Sequence, residues 1–82
     1  MKVLIDFYAT WCQPCKAMKP IIESLEKDGV SVLKVDVDEE PEKVKQYGVM
    51  SIPTYIVMED DKELGRKTGS ATKEELEELL RL

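Results

Sequence analysis

Histidine is absent from this sequence of 82 residues, and cysteine occurs only twice, at Cys12 and Cys15. A structural zinc site takes about four ligands, which are mainly cysteine and histidine side chains. Two cysteines would leave carboxylates to complete such a set. The composition therefore argues against a zinc-binding domain and directs attention to the cysteine pair itself.

Long apolar runs are also absent. The apolar stretch near the start covers only Val3 to Ile5 before Asp6 interrupts it. That is far shorter than the core of a signal peptide or a membrane-spanning helix. We therefore expect a cytoplasmic protein.

Positive charge is in short supply, because 12 Lys and Arg stand against 17 Asp and Glu and give a formal net charge of −5. Nucleic-acid affinity comes largely from basic side chains that neutralise phosphates, and the chain has no basic stripe with interleaved aromatic residues. Nucleic acids and anionic membrane surfaces are therefore poor partners for this protein.

What the sequence does contain is typical of a small folded domain. Hydrophobic residues make up 43% and charged residues 35%, with only four Gly and four Pro, which is a globular rather than a disordered composition. A chain of this length holds one hydrophobic core. We expect a single domain over residues 1–82.

The hydrophobic pattern predicts an α/β fold with the order β-α-β-α-β-β-α. Its first strand, Lys2 to Tyr8, is apolar enough to be buried on both faces of a parallel sheet. The other predicted strands are Val30 to Val37, Thr54 to Met58 and Glu63 to Thr68, the last two forming a hairpin. The predicted helices are Cys12 to Lys27, bent at Pro20, then Pro41 to Tyr47, and a last helix that opens at Thr72 with Glu75 in a capping box.

The two cysteines lie where the first strand passes into the first helix. Their i, i+3 spacing brings their Cα atoms within disulfide range. The unpaired amides of the helix N-terminus, with Lys16 and Lys19 nearby, favour a thiolate at Cys12. We therefore predict that Cys12 is the nucleophile and that Cys15, one turn further in, is more buried and resolves the mixed disulfide. The alternative is a structural disulfide, which would stabilise only weakly because its loop is so short.

Asp6 is a second anomaly, because a carboxylate in the middle of an apolar strand is costly to bury. We interpret it as a proton acceptor beneath the cysteine pair, with Lys34 of the neighbouring strand as its nearby cation. The alternative is that the first strand has one exposed face.

Three further positions near the predicted strand ends carry expectations. Met50 and Met58 are expected to fill the core rather than form a binding surface. Trp11, beside Cys12, is expected to leave its ring partly exposed at the strand-to-helix corner for contact with a partner, and the alternative is that the ring only packs against the fold.

Several segments together resemble the thioredoxin family. They are DFYATWCQPCKAMKP, KVDVD, YGVMSIPT and the late TGS, and the resemblance covers nearly the whole chain. It implies a thioredoxin-like fold with a four-stranded mixed sheet, strands in the order second, first, third, fourth, flanked by three helices. The chain begins at the strand that leads into the cysteines, so the resemblance is to compact members without the first strand and helix of full-length thioredoxins.

The resemblance also assigns roles by position. Cys12 matches the attacking and Cys15 the resolving cysteine, Asp6 the buried carboxylate and Lys34 its lysine neighbour, and Pro53 the cis-proline that faces the pair. The residues that match the surface gripping an extended substrate are Trp11, Ile52, Gly69 and Ser70, and we expect Gln13 and Pro14, between the cysteines, to contact the substrate as well. Gln13 and Ser51 depart from the family by replacing glycines, which adds bulk beside the site.

These observations predict a monomeric protein-disulfide reductase that needs no metal or organic cofactor. Its expected partners are disulfide-bonded proteins and an electron donor of the thioredoxin-reductase type. One alternative is a glutathione-linked, glutaredoxin-like or oxidising enzyme of the same fold. The other is a docking subunit in which the cysteines play no catalytic part.

Overall fold

The computed structural model describes residues 1–82 and contains the seven elements expected, in the expected order. The strands are β1 (Lys2–Tyr8), β2 (Val32–Asp36), β3 (Thr54–Glu59) and β4 (Lys62–Thr68), and the helices are α1 (Gln13–Lys27), α2 (Pro41–Tyr47) and α3 (Lys73–Leu80). The differences lie at the ends: β2 is shorter than predicted, the hairpin strands are each one residue longer, and Cys12 caps α1 rather than joining it.

The four strands form one mixed sheet in the order β2-β1-β3-β4, as predicted. Strand β1 is parallel to β2 and antiparallel to β3, and β3 pairs with β4 as an antiparallel hairpin. A bulge interrupts the β3–β4 register between Val57 and Met58. Strands β2 and β4 are therefore the two edges of the sheet.

Helices cover both faces of the sheet, which explains why β1 is buried from Leu4 to Phe7. Because successive strand residues point to opposite faces, Leu4 joins one apolar cluster and Ile5 the other. The first cluster is Leu4, Met18, Ile22, Leu25, Tyr55, Val57, Ala71 and Leu76, beneath α1 and α3. The second is Ile5, Phe7, Val35, Val49 and Ile56, with Val44 and Tyr47 of α2 packed against it.

The helix ends follow from local sequence. Pro41 stands in the first turn of α2, and Gly48 ends that helix with the left-handed φ of 63° that glycine tolerates best. In α3 the Thr72 hydroxyl accepts a hydrogen bond from the Glu75 amide, and the Glu75 carboxylate accepts one from the Thr72 amide. The predicted capping box is thus confirmed.

The expectation for Met50 was wrong. Met50 is 97% exposed, whereas Met58 is partly buried at the second apolar cluster. Met50 lies between Val49, which enters that cluster, and the loop before β3, so the chain has already turned away from the core. None of the three helices combines the length and apolar character that crossing a bilayer requires.

Candidate active site

The predicted site residues come from separate segments that meet at one end of the strands. Strands β1 and β2 both finish at this end of the sheet, with Tyr8 opposite Asp36. Strand β3 starts at the same end, where Thr54 faces Phe7, and β4 finishes there, where Thr68 faces Thr54. The loops that follow β1, β2 and β4 and the loop that precedes β3 are therefore neighbours.

Two hydrogen bonds connect these loops directly. The Gly69 amide donates to the Pro53 carbonyl at 2.8 Å, which joins the loop after β4 to the cis peptide bond of Ile52 and Pro53. The Trp11 indole Nε1 donates to an Asp38 carboxylate oxygen at 2.7 Å, which joins the cysteine loop to the loop after β2. Gly69 has a φ of 93°, a conformation that favours glycine.

Cys12 and Cys15 form a disulfide at the start of α1, with their Cα atoms 5.2 Å apart. Cys12 is the N-cap of the helix, and its Sγ accepts a hydrogen bond from the Cys15 amide at 3.2 Å. An N-cap acceptor satisfies one of the free amides of the first turn. The same amide and the positive end of the helix dipole would favour a thiolate at Cys12 when the disulfide is opened.

The predicted order of burial of the two cysteines was wrong. In this oxidised form Cys12 is only 5% exposed, whereas Cys15 is half-buried. Cys15 is the more exposed of the two because it lies on the wall of a cleft of about 370 Å³ between α1 and the ends of β1 and β2. The capping geometry instead folds the Cys12 sulfur back over the first turn of the helix.

Asp6 lies on the wall of the same cleft and is 9% exposed. Lys34 faces it in register on β2, and Tyr55 faces it on β3. Burial raises the pKa of Asp6 from 3.8 to about 6, while the positive charge of Lys34 lowers it and the negative charge of Glu26 raises it further. Asp6 can therefore exchange a proton close to neutral pH.

Sequence reasoning missed two charged groups of this cleft region, Glu23 on its wall and Glu26 nearby. The Lys34 ammonium lies 3.4 Å from a carboxylate oxygen of Glu26 on α1. Glu26 falls four residues after the buried Ile22, so its helical position towards the sheet could have been read from the periodicity. Its pairing with Lys34 depends on the packing of α1 against β2.

The exposed surface around the disulfide is partly apolar. Trp11 is 64% exposed, as expected from its corner position. Ile52 is half-buried, and the fully exposed Met50 precedes it by two residues. The remaining substrate-facing positions predicted from the sequence are exposed at Gln13, Pro14 and Ser70 and half-buried at Gly69. Asp38, which holds the Trp11 indole, was missed, although it ends the KVDVD segment.

Comparison with known proteins agrees with this arrangement. The family model described as Thioredoxin matches residues 1–81. A thioredoxin of Chlamydia caviae is 50% identical over 80 residues, covering 95% of this chain and 78% of the relative. A thioredoxin of Bacillus subtilis is 44% identical over 81 residues, with the same coverage of both chains.

Solved structures give the same result for the fold. The oxidised form of mitochondrial thioredoxin 3 from Saccharomyces cerevisiae superposes with a TM-score of 0.89 at 38% identity, covering 98% of this chain and 76% of that one. A mutant thioredoxin from Halobacterium salinarum gives a TM-score of 0.90 at 36% identity, covering 98% and 72%. The chain belongs to the thioredoxin family and is a thiol–disulfide oxidoreductase that reduces protein disulfides through Cys12 and Cys15.

Proposed function

We propose that the two cysteines divide the reduction of a protein disulfide between them, with Cys12 attacking and Cys15 resolving. The observation that carries this assignment is the N-cap position of Cys12, whose sulfur accepts the Cys15 amide. This contact stabilises the Cys12 thiolate that attacks the substrate disulfide. Cys15 has no such amide partner.

The reaction proceeds in two exchanges. The Cys12 thiolate attacks one sulfur of the substrate disulfide, so a Cys12–substrate bond forms, the substrate S–S bond breaks, and the released substrate thiolate takes up a proton. Cys15 then attacks the Cys12 sulfur, which forms the Cys12–Cys15 disulfide and releases the second substrate thiol. The substrate gains two electrons and two protons, and the protein loses them.

Asp6 serves the second exchange as the proton acceptor for Cys15. Both residues lie on the wall of one cleft, and the pKa of Asp6 of about 6 leaves it mostly ionised at pH 7 yet still basic enough to take a proton. Lys34, facing Asp6 on β2, limits how far burial raises that pKa. Lys34 thus acts through Asp6.

Substrates bind over the partly apolar surface that surrounds the disulfide. Trp11 and Ile52 offer apolar contacts, and the hydrogen bond from the Gly69 amide to the Pro53 carbonyl joins the two loops before β3 and after β4. Gln13 and Pro14 are exposed between the two cysteines, and Ser70 is exposed next to Gly69. A reductase returns the electrons in the cytoplasm, and the protein works as a monomer.

Insulin-disulfide reduction tests whether the reaction needs both cysteines, and the labelling and trapping experiments in the Discussion test which of them attacks. Wild-type protein should precipitate insulin chains with dithiothreitol as the electron source, and Cys12→Ser and Cys15→Ser should each lose turnover. A purified NADPH-dependent thioredoxin reductase should reduce the wild-type disulfide. Reduction by glutathione alone would support the glutaredoxin-like alternative, and full biological activity of Cys12→Ser would support a docking subunit.

A further inference from the structure

Lys34 stands opposite Asp6 in the sheet but is engaged elsewhere. Its ammonium pairs with Glu26 at 3.4 Å, and Asp6 has no cation within 4.0 Å of its carboxylate. Both side chains of the Glu26–Lys34 pair are partly exposed, so the pair lies at the outer side of the buried carboxylate. A flexible lysine opposite a buried carboxylate would otherwise be attracted to it directly.

The titratable and charged side chains around Asp6 come from its own strand and from three other elements. Tyr8 is on the same strand, Lys34 faces Asp6 from β2 and Tyr55 faces it from β3. The groups on α1 are Cys15, Lys16, Lys19, Glu23 and Glu26. Among the charged groups, Lys34 and Glu26 are the two that change the proton affinity of Asp6. They are also the two that pair with each other.

We propose that Glu26 is a positioning residue of the redox site, whose carboxylate holds the Lys34 ammonium at the outer side of the cleft and so keeps Asp6 without a direct ion-pair partner. The inference rests on the proposed role of Asp6 as the proton acceptor for Cys15. An Asp6–Lys34 contact pair would stabilise the ionised carboxylate and make it a weaker base. Glu26 thereby maintains the basicity of Asp6 in the range where the resolving thiol must lose its proton.

The substitution Glu26→Gln tests this directly. It removes the repulsion between two carboxylates and frees Lys34 to approach Asp6, and both changes lower the pKa of Asp6. Wild-type Asp6 should titrate near pH 6. In Glu26→Gln we expect its midpoint to fall by about half a pH unit.

The measurement is the ¹³C carboxyl shift of Asp6 against pH in the oxidised protein, where neither cysteine titrates. Glu23→Gln is the matched control, because it removes the same charge from the same helix at the cleft but has no ion pair with Lys34. We expect it to leave the midpoint unchanged. An equal shift in both variants, or none in Glu26→Gln, would overturn the proposal.

A second background separates positioning from simple repulsion. In Lys34→Gln protein no ammonium remains to be held, so adding Glu26→Gln should produce less than half of the shift that it produces beside Lys34. A shift of the same size in both backgrounds would show that Glu26 acts only by its own charge and would overturn the positioning role.

The pH profile of insulin reduction should move in the same direction as the titration. If wild-type protein failed to reduce insulin, the proposed function would fall, whereas the carboxyl titration of the oxidised protein would still decide the part that concerns Glu26.

Discussion

Replacing Asp6 with asparagine removes a buried carboxylate beneath the cysteine pair, and burial of this carboxylate lowers the free energy of unfolding when it is ionised. Burial raises the pKa of Asp6 from 3.8 to about 6. Each tenfold change in proton affinity corresponds to about 1.4 kcal/mol, so this rise corresponds to a destabilisation of about 3 kcal/mol when the carboxylate is ionised. The buried amide that replaces it carries a desolvation cost of its own, and we expect a net gain of about 1–3 kcal/mol at pH 7.5.

The sign of the pH dependence follows from which state holds the proton. Between about pH 4 and pH 6 folded Asp6 keeps a proton that the unfolded chain has released, so the stability of the wild type falls as pH rises through this range and levels off above it. Asp6→Asn lacks this titration. Its advantage over the wild type should therefore be small at pH 4 and full at pH 7.5.

Urea unfolding of the oxidised proteins at both pH values measures this difference. Asp61→Asn is a suitable control, because Asp61 is an exposed residue of the β3–β4 turn and its loss should change the free energy of unfolding by no more than a few tenths of a kcal/mol. In the reduced protein, Asp6→Asn should slow insulin reduction near neutral pH. A variant that is less stable than the wild type at pH 7.5, or equally favoured at both pH values, would refute the reasoning.

Three other predictions concern the cysteines and the last helix. Iodoacetamide should label Cys12 faster than Cys15 in the reduced protein at pH 7, because the helix N-terminus favours its thiolate, and the opposite order would reverse the assigned roles. Cys15→Ser should hold target proteins from a lysate as mixed disulfides that dithiothreitol releases on non-reducing gels; if it captures no more than Cys12→Ser, the exchange mechanism is wrong. Thr72→Ala should lower the free energy of unfolding by about 1 kcal/mol in urea titrations, because the Glu75 amide loses its cap. Ser31→Ala, at an exposed side chain without a hydrogen bond, should change it much less, and equal losses would deny the cap its contribution.

The elements of the fold could be predicted because local signals and burial agree along the chain. Several elements can be located from a few neighbouring residues. Examples are the β-branched and apolar run of β1, the glycine that ends α2 and the capping box that begins α3. Errors at the ends of β2 arose because Val30 and Ser31 continue the strand-like composition, while the Val30 amide still bonds to the Leu25 carbonyl at the end of α1.

The site was only partly predictable, because its finer features depend on packing between distant elements. The cysteine pair and the exposure of Trp11 follow from adjacent residues. The openness of the cleft beside Cys15 depends on how α1 sits over the sheet, and no local pattern reports it. The Glu26–Lys34 pair has the same origin. Met50 is exposed despite its apolar side chain because it stands in a loop outside the core.

Strand β4 has a consequence for how copies of this protein behave towards one another. The outer edge of a sheet offers unpaired main-chain groups to which a strand of another molecule can add. Four of the seven residues of β4 are charged, namely Lys62, Glu63, Arg66 and Lys67. The bulge opposite Val57 and Met58 leaves Leu64 of β4 without a partner and disturbs the regular spacing that an added strand would need. Edge-to-edge aggregation through β4 is therefore opposed, so copies of this protein can be present together without adding strands to one another at this edge.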